Sequence, residues 1–136
     1  MQKPIIHDEE FLAQKSEPAA FIDIAVAQDL LDTLAAHAEH CVGLAANMIG
    51  VKKRIIAVNI GPTNIAMLNP EIIKHSGKYI TEEGCLSLAG ERPAVRYEKI
   101  TVSYLDLQFK PHKESFSGFT AQIIQHELDH CNGIII

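Results

Sequence analysis

The chain lacks tryptophan, and aromatic residues make up only 6% of its 136 residues. No uninterrupted apolar run approaches the roughly 18 residues that a membrane-spanning helix needs. The N-terminal stretch, MQKPIIHDEE, lacks the apolar segment of a secretory signal peptide. These absences argue against a membrane partner and against export, and they predict a cytoplasmic protein.

An excess of basic residues is also missing. The formal net charge is −5 and the sequence pI is about 5.7. A nucleic-acid surface needs clustered lysine and arginine, and the sequence has only one short basic patch, at residues 52–54. We therefore predict no nucleic-acid partner.

Cysteine is scarce, with Cys41, Cys85 and Cys131 as the complete set. An odd count in a chain without an export signal argues against a disulfide framework. Each thiol is then a core residue, a nucleophile or a metal ligand. Cys131 is predicted to be a packing residue, and for Cys41 a core thiol is favoured over a reactive one.

The length of 136 residues predicts one domain, residues 1–136, and the order of the predicted helices and strands indicates the α+β class. We expect mainly antiparallel sheets packed around a C-terminal helix, plus one N-terminal helix. Apolar residues at helical spacing predict the helices, and short apolar or alternating runs bounded by Gly, Pro or Asn predict the strands. The predicted helices are residues 24–39 and 119–131, and the predicted strands are residues 54–60, 65–68, 78–80 and 99–107.

The second predicted helix contains QHELDH, in which His126, Glu127 and His130 form HExxH. Residues four apart lie on the same helix face, so both imidazoles can reach one cation, and Glu127 can meet a water beside it. The alternative interpretation is a polar helix face with solvated side chains. A catalytic site usually has a third protein ligand, and Cys85 is the best candidate because Gly84 allows close backbone approach and a thiolate suits iron or zinc.

Several motifs together resemble the peptide deformylase family. They are GLAA at residues 43–46, EGCLS at residues 83–87, VRYEKITVSYLD at residues 95–106 and QHELDH at residues 125–130. The resemblance extends over essentially the whole chain. It implies a metal-dependent hydrolase that removes the formyl group from formyl-methionyl peptides of nascent proteins.

The resemblance also implies roles for individual residues. Cys85, His126 and His130 would hold one divalent metal, ferrous iron in the native state, readily replaced by nickel or zinc. Glu127 would be the general acid and base, and the backbone N–H of Leu86 would be one donor to the oxyanion.

The sequence departs from the family pattern Gly-x-Gly-Leu-Ala-Ala-x-Gln at two positions, because Cys41 replaces the first glycine and Met48 replaces the glutamine. That glutamine is the second oxyanion donor in the family, and a thioether cannot donate a hydrogen bond. Loss of one such donor typically lowers the rate about 100- to 1,000-fold. Neighbouring Asn47 would point to the opposite face of an extended segment. We therefore expect formyl-peptide hydrolysis to be weakened.

Substrate recognition follows the same resemblance. Val42, Gly43 and Leu44 would pair with an extended peptide, and Val42, Phe119, Ile123 and His126 would form the methionine pocket. Three polar residues have two interpretations each. Gln122 is either a pocket residue or a polar helix residue, and Arg92 and Arg96 either contact the peptide or, as we favour, lie solvated at the surface.

Two further hypotheses stay open at this point: a metallo-amidase with another N-acyl substrate, and a non-catalytic homologue that binds metal. The chain ends at NGIII, whereas many deformylases continue into another helix that in some members contacts the ribosome. We therefore do not expect ribosome contact through that element.

Overall fold

The computed structural model describes residues 1–85 and 88–134. Its helices are α1 (Glu9–Leu12), α2 (Ile24–Ala36) and α3 (Gly118–Cys131), with single 3-10 turns at Phe21–Asp23 and Ala46–Ile49. Its strands are β1 (Gly43–Ala45), β2 (Ile55–Asn59), β3 (Asn64–Cys85), β4 (Leu88–Leu105) and β5 (Pro111–Ser117). The predicted α+β class is confirmed.

The five strands form one antiparallel sheet in the order β1-β2-β3-β4-β5. The long β3–β4 hairpin dominates it, with Tyr79 opposite Arg96 and Glu83 opposite Arg92. Its register shifts at three places, one of them between Gly84 and Cys85. This hairpin carries Cys85 to the C-terminal end of β3.

Helix α3 packs on the sheet through an apolar face that includes Ala121, Ile124 and Leu128. Gln125 adds a polar anchor, because its side chain accepts from the N–H of Tyr97 at 2.7 Å and donates to the C=O of Tyr97 at 2.8 Å. The side-chain amide thus bonds to Tyr97 of β4 as the backbone of a neighbouring strand would. Helix α2 contributes to the same core on its own buried face, formed by Ala27, Leu30, Thr33 and Leu34.

The structure differs from the predicted elements at several boundaries. Helix α2 ends at Ala36 rather than residue 39, and β3 continues through Asn69-Pro70 and Gly77, where strand breaks were predicted. The first of these positions coincides with a register shift, so the chain absorbs it as an irregularity. Strand β5 was not predicted because nearly all of its side chains are exposed and it lacks a buried alternate face.

The prediction also missed α1, a four-residue helix whose N-cap, Asp8, accepts from two backbone N–H groups. None of the helices within residues 1–85 and 88–134 is long and apolar enough to cross a membrane.

Candidate active site

Three potential metal ligands meet where α3 passes the end of β3. His126 and His130 lie one turn apart on α3, with their Nε2 atoms 3.1 Å from each other. The Sγ of Cys85 lies 3.3 Å from Nε2 of His130. All three ligand atoms fall within 4.8 Å of one another. The predicted ligand set is therefore brought together by the fold.

The spacing of the two imidazole nitrogens fits a tetrahedral metal ion. Two imidazole nitrogens that each lie 2.0–2.1 Å from such an ion are separated by about 3.3 Å. The observed separation of 3.1 Å is close to this value. One sulfur and two nitrogens form a donor set that suits iron or zinc. The residues present therefore fit the metal that the motif implies.

Glu83 orients His126 from β3. One carboxylate oxygen lies 2.7 Å from Nδ1 of His126, which leaves Nε2 directed at the metal position. Metal-binding histidines commonly use their second ring nitrogen in this way. Sequence reasoning did not identify Glu83, although it stands two residues before Cys85 and residues two apart share a strand face.

Arg96 in turn holds Glu83. Its guanidinium donates to both carboxylate oxygens of Glu83, at 2.6 and 2.9 Å, and to Asp129 at 2.7 Å. Gln122 donates to Glu83 at 2.9 Å. Arg96 is only 3% exposed, so its interpretation as a solvated surface residue is wrong. It instead links β3, β4 and α3.

This network sets the charge of Glu83. Burial alone would raise the pKa of its carboxyl, but hydrogen bonds from His126, Arg96 and Gln122 outweigh burial and lower the pKa to about 2. Burial would likewise lower the pKa of His126, but its hydrogen bonds to Cys85 and Glu83 raise that pKa to about 10. The pKa of His130 falls to about 3, because of burial and then the nearby charge of His126.

Glu127 lies beside the ligand atoms and is 4% exposed. Its Oε1 has no hydrogen-bond partner among the residues that the structure describes. Burial is the main cause that raises the pKa of its carboxyl to about 7. A buried carboxyl with a free oxygen and a pKa near neutrality can both accept and donate a proton.

Gly43 makes room for Glu127. A Cβ built on Gly43 would lie 2.7 Å from Cγ2 of Ile123 and 2.9 Å from Oε2 of Glu127. The absence of a side chain therefore lets α3 approach β1 closely. Ala45 and Ala46, the other small residues of this segment, are fully buried in the core.

A cavity of about 510 Å³ is lined by Cys85, His126 and Glu127. Among the predicted substrate residues, Val42, Gly43, Phe119 and Ile123 line it, and so does Gln122. Leu44 does not line the cavity, because its side chain is fully buried. Leu86, the predicted oxyanion donor, lies outside the described residues.

Met48 also lines the cavity, with its Sδ accepting from the N–H of Ala45 at 3.4 Å. Asn47 and Met48 belong to a 3-10 turn, so the expectation of an extended segment is wrong here. The side chain of Asn47 nevertheless points elsewhere and donates to the C=O of His130 at 2.9 Å. Cys41, favoured as a core thiol, is partly exposed and lines the cavity.

Comparisons with known proteins agree with this geometry. Residues 2–136 match the family model described as polypeptide deformylase. The chain is 59% identical over 136 residues to a peptide deformylase of Clostridium beijerinckii, covering 100% of both chains. It is 36% identical over 131 residues to peptide deformylase 3 of Shewanella oneidensis, covering 92% of this chain and 80% of the relative.

Solved structures show the same fold. A class I type b peptide deformylase from Acinetobacter baumannii, with Met-Ala-Ser bound, superposes with a TM-score of 0.87 and 31% identity, covering 99% of this chain and 97% of that one. The peptide deformylase of Thermotoga maritima gives a TM-score of 0.88 and 27% identity, covering 99% of this chain and 95% of that one. The chain therefore belongs to the peptide deformylase family of metal-dependent hydrolases, which remove the formyl group from nascent peptides.

Proposed function

We propose that this chain hydrolyses formyl-methionyl peptides with Cys85, His126 and His130 as metal ligands and Glu127 as the proton-transfer group. The observation that carries this proposal is the unpartnered, buried Oε1 of Glu127, in a cavity that Cys85 and His126 also line and next to which the ligand atom of His130 converges on theirs. A solvated polar helix face does not account for it, because Glu127 and both histidines are buried.

The metal is proposed to be ferrous iron in the native protein, with zinc or nickel as replacements in purified samples. A divalent ion supplies two things when it is bound: a lower pKa for water and polarisation of the formyl carbonyl. Glu83 and Arg96 orient His126 for that ion, through the 2.7 Å contact between Glu83 and Nδ1 of His126.

Glu127 is proposed to move the proton during the reaction. As water attacks the formyl carbon, the carboxylate of Glu127 accepts a proton from it. When the bond between the formyl carbon and the amine nitrogen breaks, Glu127 returns this proton to the nitrogen. The products are formate and a free amine. A pKa near 7 suits both halves of this transfer.

The oxyanion that forms in this step needs hydrogen-bond donors. The backbone N–H of Leu86 is proposed as one of them. Met48 stands at the family's glutamine position, and its Sδ is already an acceptor for Ala45. Asn47 cannot replace it without giving up its bond to His130. We therefore propose a reduced rate.

A hydrolysis assay tests the substrate and the rate together. The ferrous or nickel-loaded protein should release formate from formyl-Met-Ala-Ser but should not release acetate from acetyl-Met-Ala-Ser. A Met48→Gln variant should be faster, by up to about 100- to 1,000-fold if one full donor is restored. A typical enzyme rate for wild type with no gain in Met48→Gln would contradict the reduced-rate proposal. Faster hydrolysis of the acetyl peptide would favour another N-acyl substrate.

We infer one domain, residues 1–136, because a single buried cluster runs from Leu12 to Cys131. We propose a cytoplasmic location, where nascent chains are made, and no nucleic-acid or membrane partner. Direct contact with the ribosome is not part of the proposal.

A further inference from the structure

The outer edge of β1 borders the cavity. β1 is an end strand of the sheet, and its neighbour is β2. The C=O of Val42 accepts from the N–H of Asn59 at 2.9 Å, so the backbone groups of Val42 and, two residues on, Leu44 point toward β2. The N–H and C=O of Gly43 therefore point away from β2, toward the cavity that Gly43 lines.

The outward-facing C=O of Gly43 already accepts a hydrogen bond from within the chain. Sγ of Cys41 donates to the C=O of Gly43 over 2.9 Å. Cys41 is partly buried and lines the same cavity. Burial raises the pKa of its thiol to about 11, so the sulfur keeps its proton and remains a donor at neutral pH.

Ala45 is the next residue of β1 whose backbone groups point away from β2, and it is not available to pair with a peptide. Ala45 is fully buried, and its N–H donates to Sδ of Met48 at 3.4 Å. A peptide in the cavity that extends β1 must therefore use the outward groups of Gly43. The two residues that depart from the family pattern, Cys41 and Met48, thus each bond to an outward backbone group of β1.

Gly43 is also the residue of β1 that borders Glu127. A Cβ on Gly43 would lie 2.9 Å from Oε2 of Glu127, and the unpartnered Oε1 belongs to the same buried carboxylate. The residue whose carbonyl accepts from Cys41 therefore also borders the buried carboxylate of Glu127.

We propose that Cys41 determines the affinity for the substrate peptide: its thiol is hydrogen-bonded to the Gly43 carbonyl and must be displaced by a backbone N–H of the incoming peptide. This inference rests on the proposed function, because it concerns the same peptide site. The thiol weakens peptide binding, since each binding event exchanges one internal hydrogen bond for one to the ligand.

Binding of Met-Ala-Ser to the nickel-loaded protein, measured by isothermal titration calorimetry, tests the proposal. Cys41→Ala removes the donor and should bind the peptide about two- to tenfold more tightly. Cys41→Ser is the matched control, because it also removes the sulfur but keeps a hydroxyl donor. It should bind with a Kd closer to that of wild type than to that of Cys41→Ala.

Infrared spectroscopy of the S–H stretch gives a second measurement that needs no turnover. The band assigned to Cys41 is the one lost in Cys41→Ser. It should move toward the frequency of a free thiol when Met-Ala-Ser is added, while the band of buried Cys131 stays fixed as an internal reference.

The proposal is overturned if the Cys41 band does not move, if Cys41→Ala binds no more tightly than wild type, if Cys41→Ser matches Cys41→Ala, or if no form binds the peptide. Failure of the proposed function looks different. In that case the band moves and the affinities differ as expected, but formyl-Met-Ala-Ser is not hydrolysed.

Discussion

Replacing Glu83 with glutamine removes the charge that orients His126 while keeping nearly the same side-chain shape. In the native site, Glu83 accepts from Nδ1 of His126 at 2.7 Å and from Arg96 at 2.6 and 2.9 Å. The side-chain amide of glutamine has one acceptor oxygen and one NH2 donor group. In at least one of these contacts, the NH2 group would therefore face another N–H donor.

The expected effect on metal binding is large. Loss of a partner that orients a metal-binding histidine typically lowers metal affinity about 10- to 100-fold, or roughly 1.4 to 2.7 kcal/mol. Removing one partner of a buried ion pair typically destabilises a protein by about 3–5 kcal/mol. We expect the lower end of that range, because Arg96 keeps its contact with Asp129 at 2.7 Å.

Competition with a chromophoric chelator measures the affinity, and calorimetric unfolding measures the stability. Asp129→Asn is the matched control, since Asp129 contacts Arg96 but no hydrogen bond between described residues joins its side chain to His126. Asp129→Asn should unfold at a lower temperature but should not show the loss of metal affinity of about 10- to 100-fold that removal of an orienting partner causes. Metal affinity of Glu83→Gln equal to that of wild type would refute the orienting role of Glu83.

Gly43, His126 and Glu127 each allow one further experimental test. Gly43→Ala should strongly reduce peptide hydrolysis, because its Cβ would lie 2.7 Å from Cγ2 of Ile123 and 2.9 Å from Oε2 of Glu127, so at least one of these side chains must shift. Full activity would contradict the need for close approach between α3 and β1. Around pH 7, metal affinity should increase as the pH is raised. The pKa of His126 is raised to about 10, so His126 must lose a proton before it can bind the metal. Calorimetry in buffers of different ionisation enthalpy should detect this released proton. In the pH profile of kcat/KM, the loss of activity on the acid side should have its midpoint at or below about pH 7. Protonation of Glu127 removes the base, and a bound cation would favour the carboxylate form. The same acid-side transition in Glu127→Gln would contradict its assignment to Glu127.

Local features of the site could be predicted from the sequence. HExxH fixes the relation of His126, Glu127 and His130 through helix geometry alone, and α3 begins and ends within one residue of its predicted bounds. Cys85 was the best candidate for the third ligand from its thiolate chemistry and the neighbouring Gly84, and the resemblance of the motifs then implied the same residue. These predictions succeed because each depends on helix periodicity or on a contiguous motif.

Features that depend on pairing between distant strands could not be predicted. Arg96 is recognisable as a buried anchor only once the β3–β4 register places it opposite Tyr79, on the face that carries Glu83. The segment that contains Met48 was expected to be extended, but it forms a 3-10 turn. This turn ends at Gly50, whose φ of 88° is left-handed. The thiol of Cys41 likewise gains its partner only because β1 lies at the sheet edge.

The central claim is that the buried carboxylate of Glu127 works beside a metal held by Cys85, His126 and His130. Formate release from formyl-Met-Ala-Ser by protein loaded with ferrous iron under anaerobic conditions tests it most directly, with Glu127→Gln as the matched variant. The account predicts one metal per chain in both proteins and turnover in wild type alone. Equal turnover by Glu127→Gln, or metal-loaded wild type that releases no formate, would contradict it.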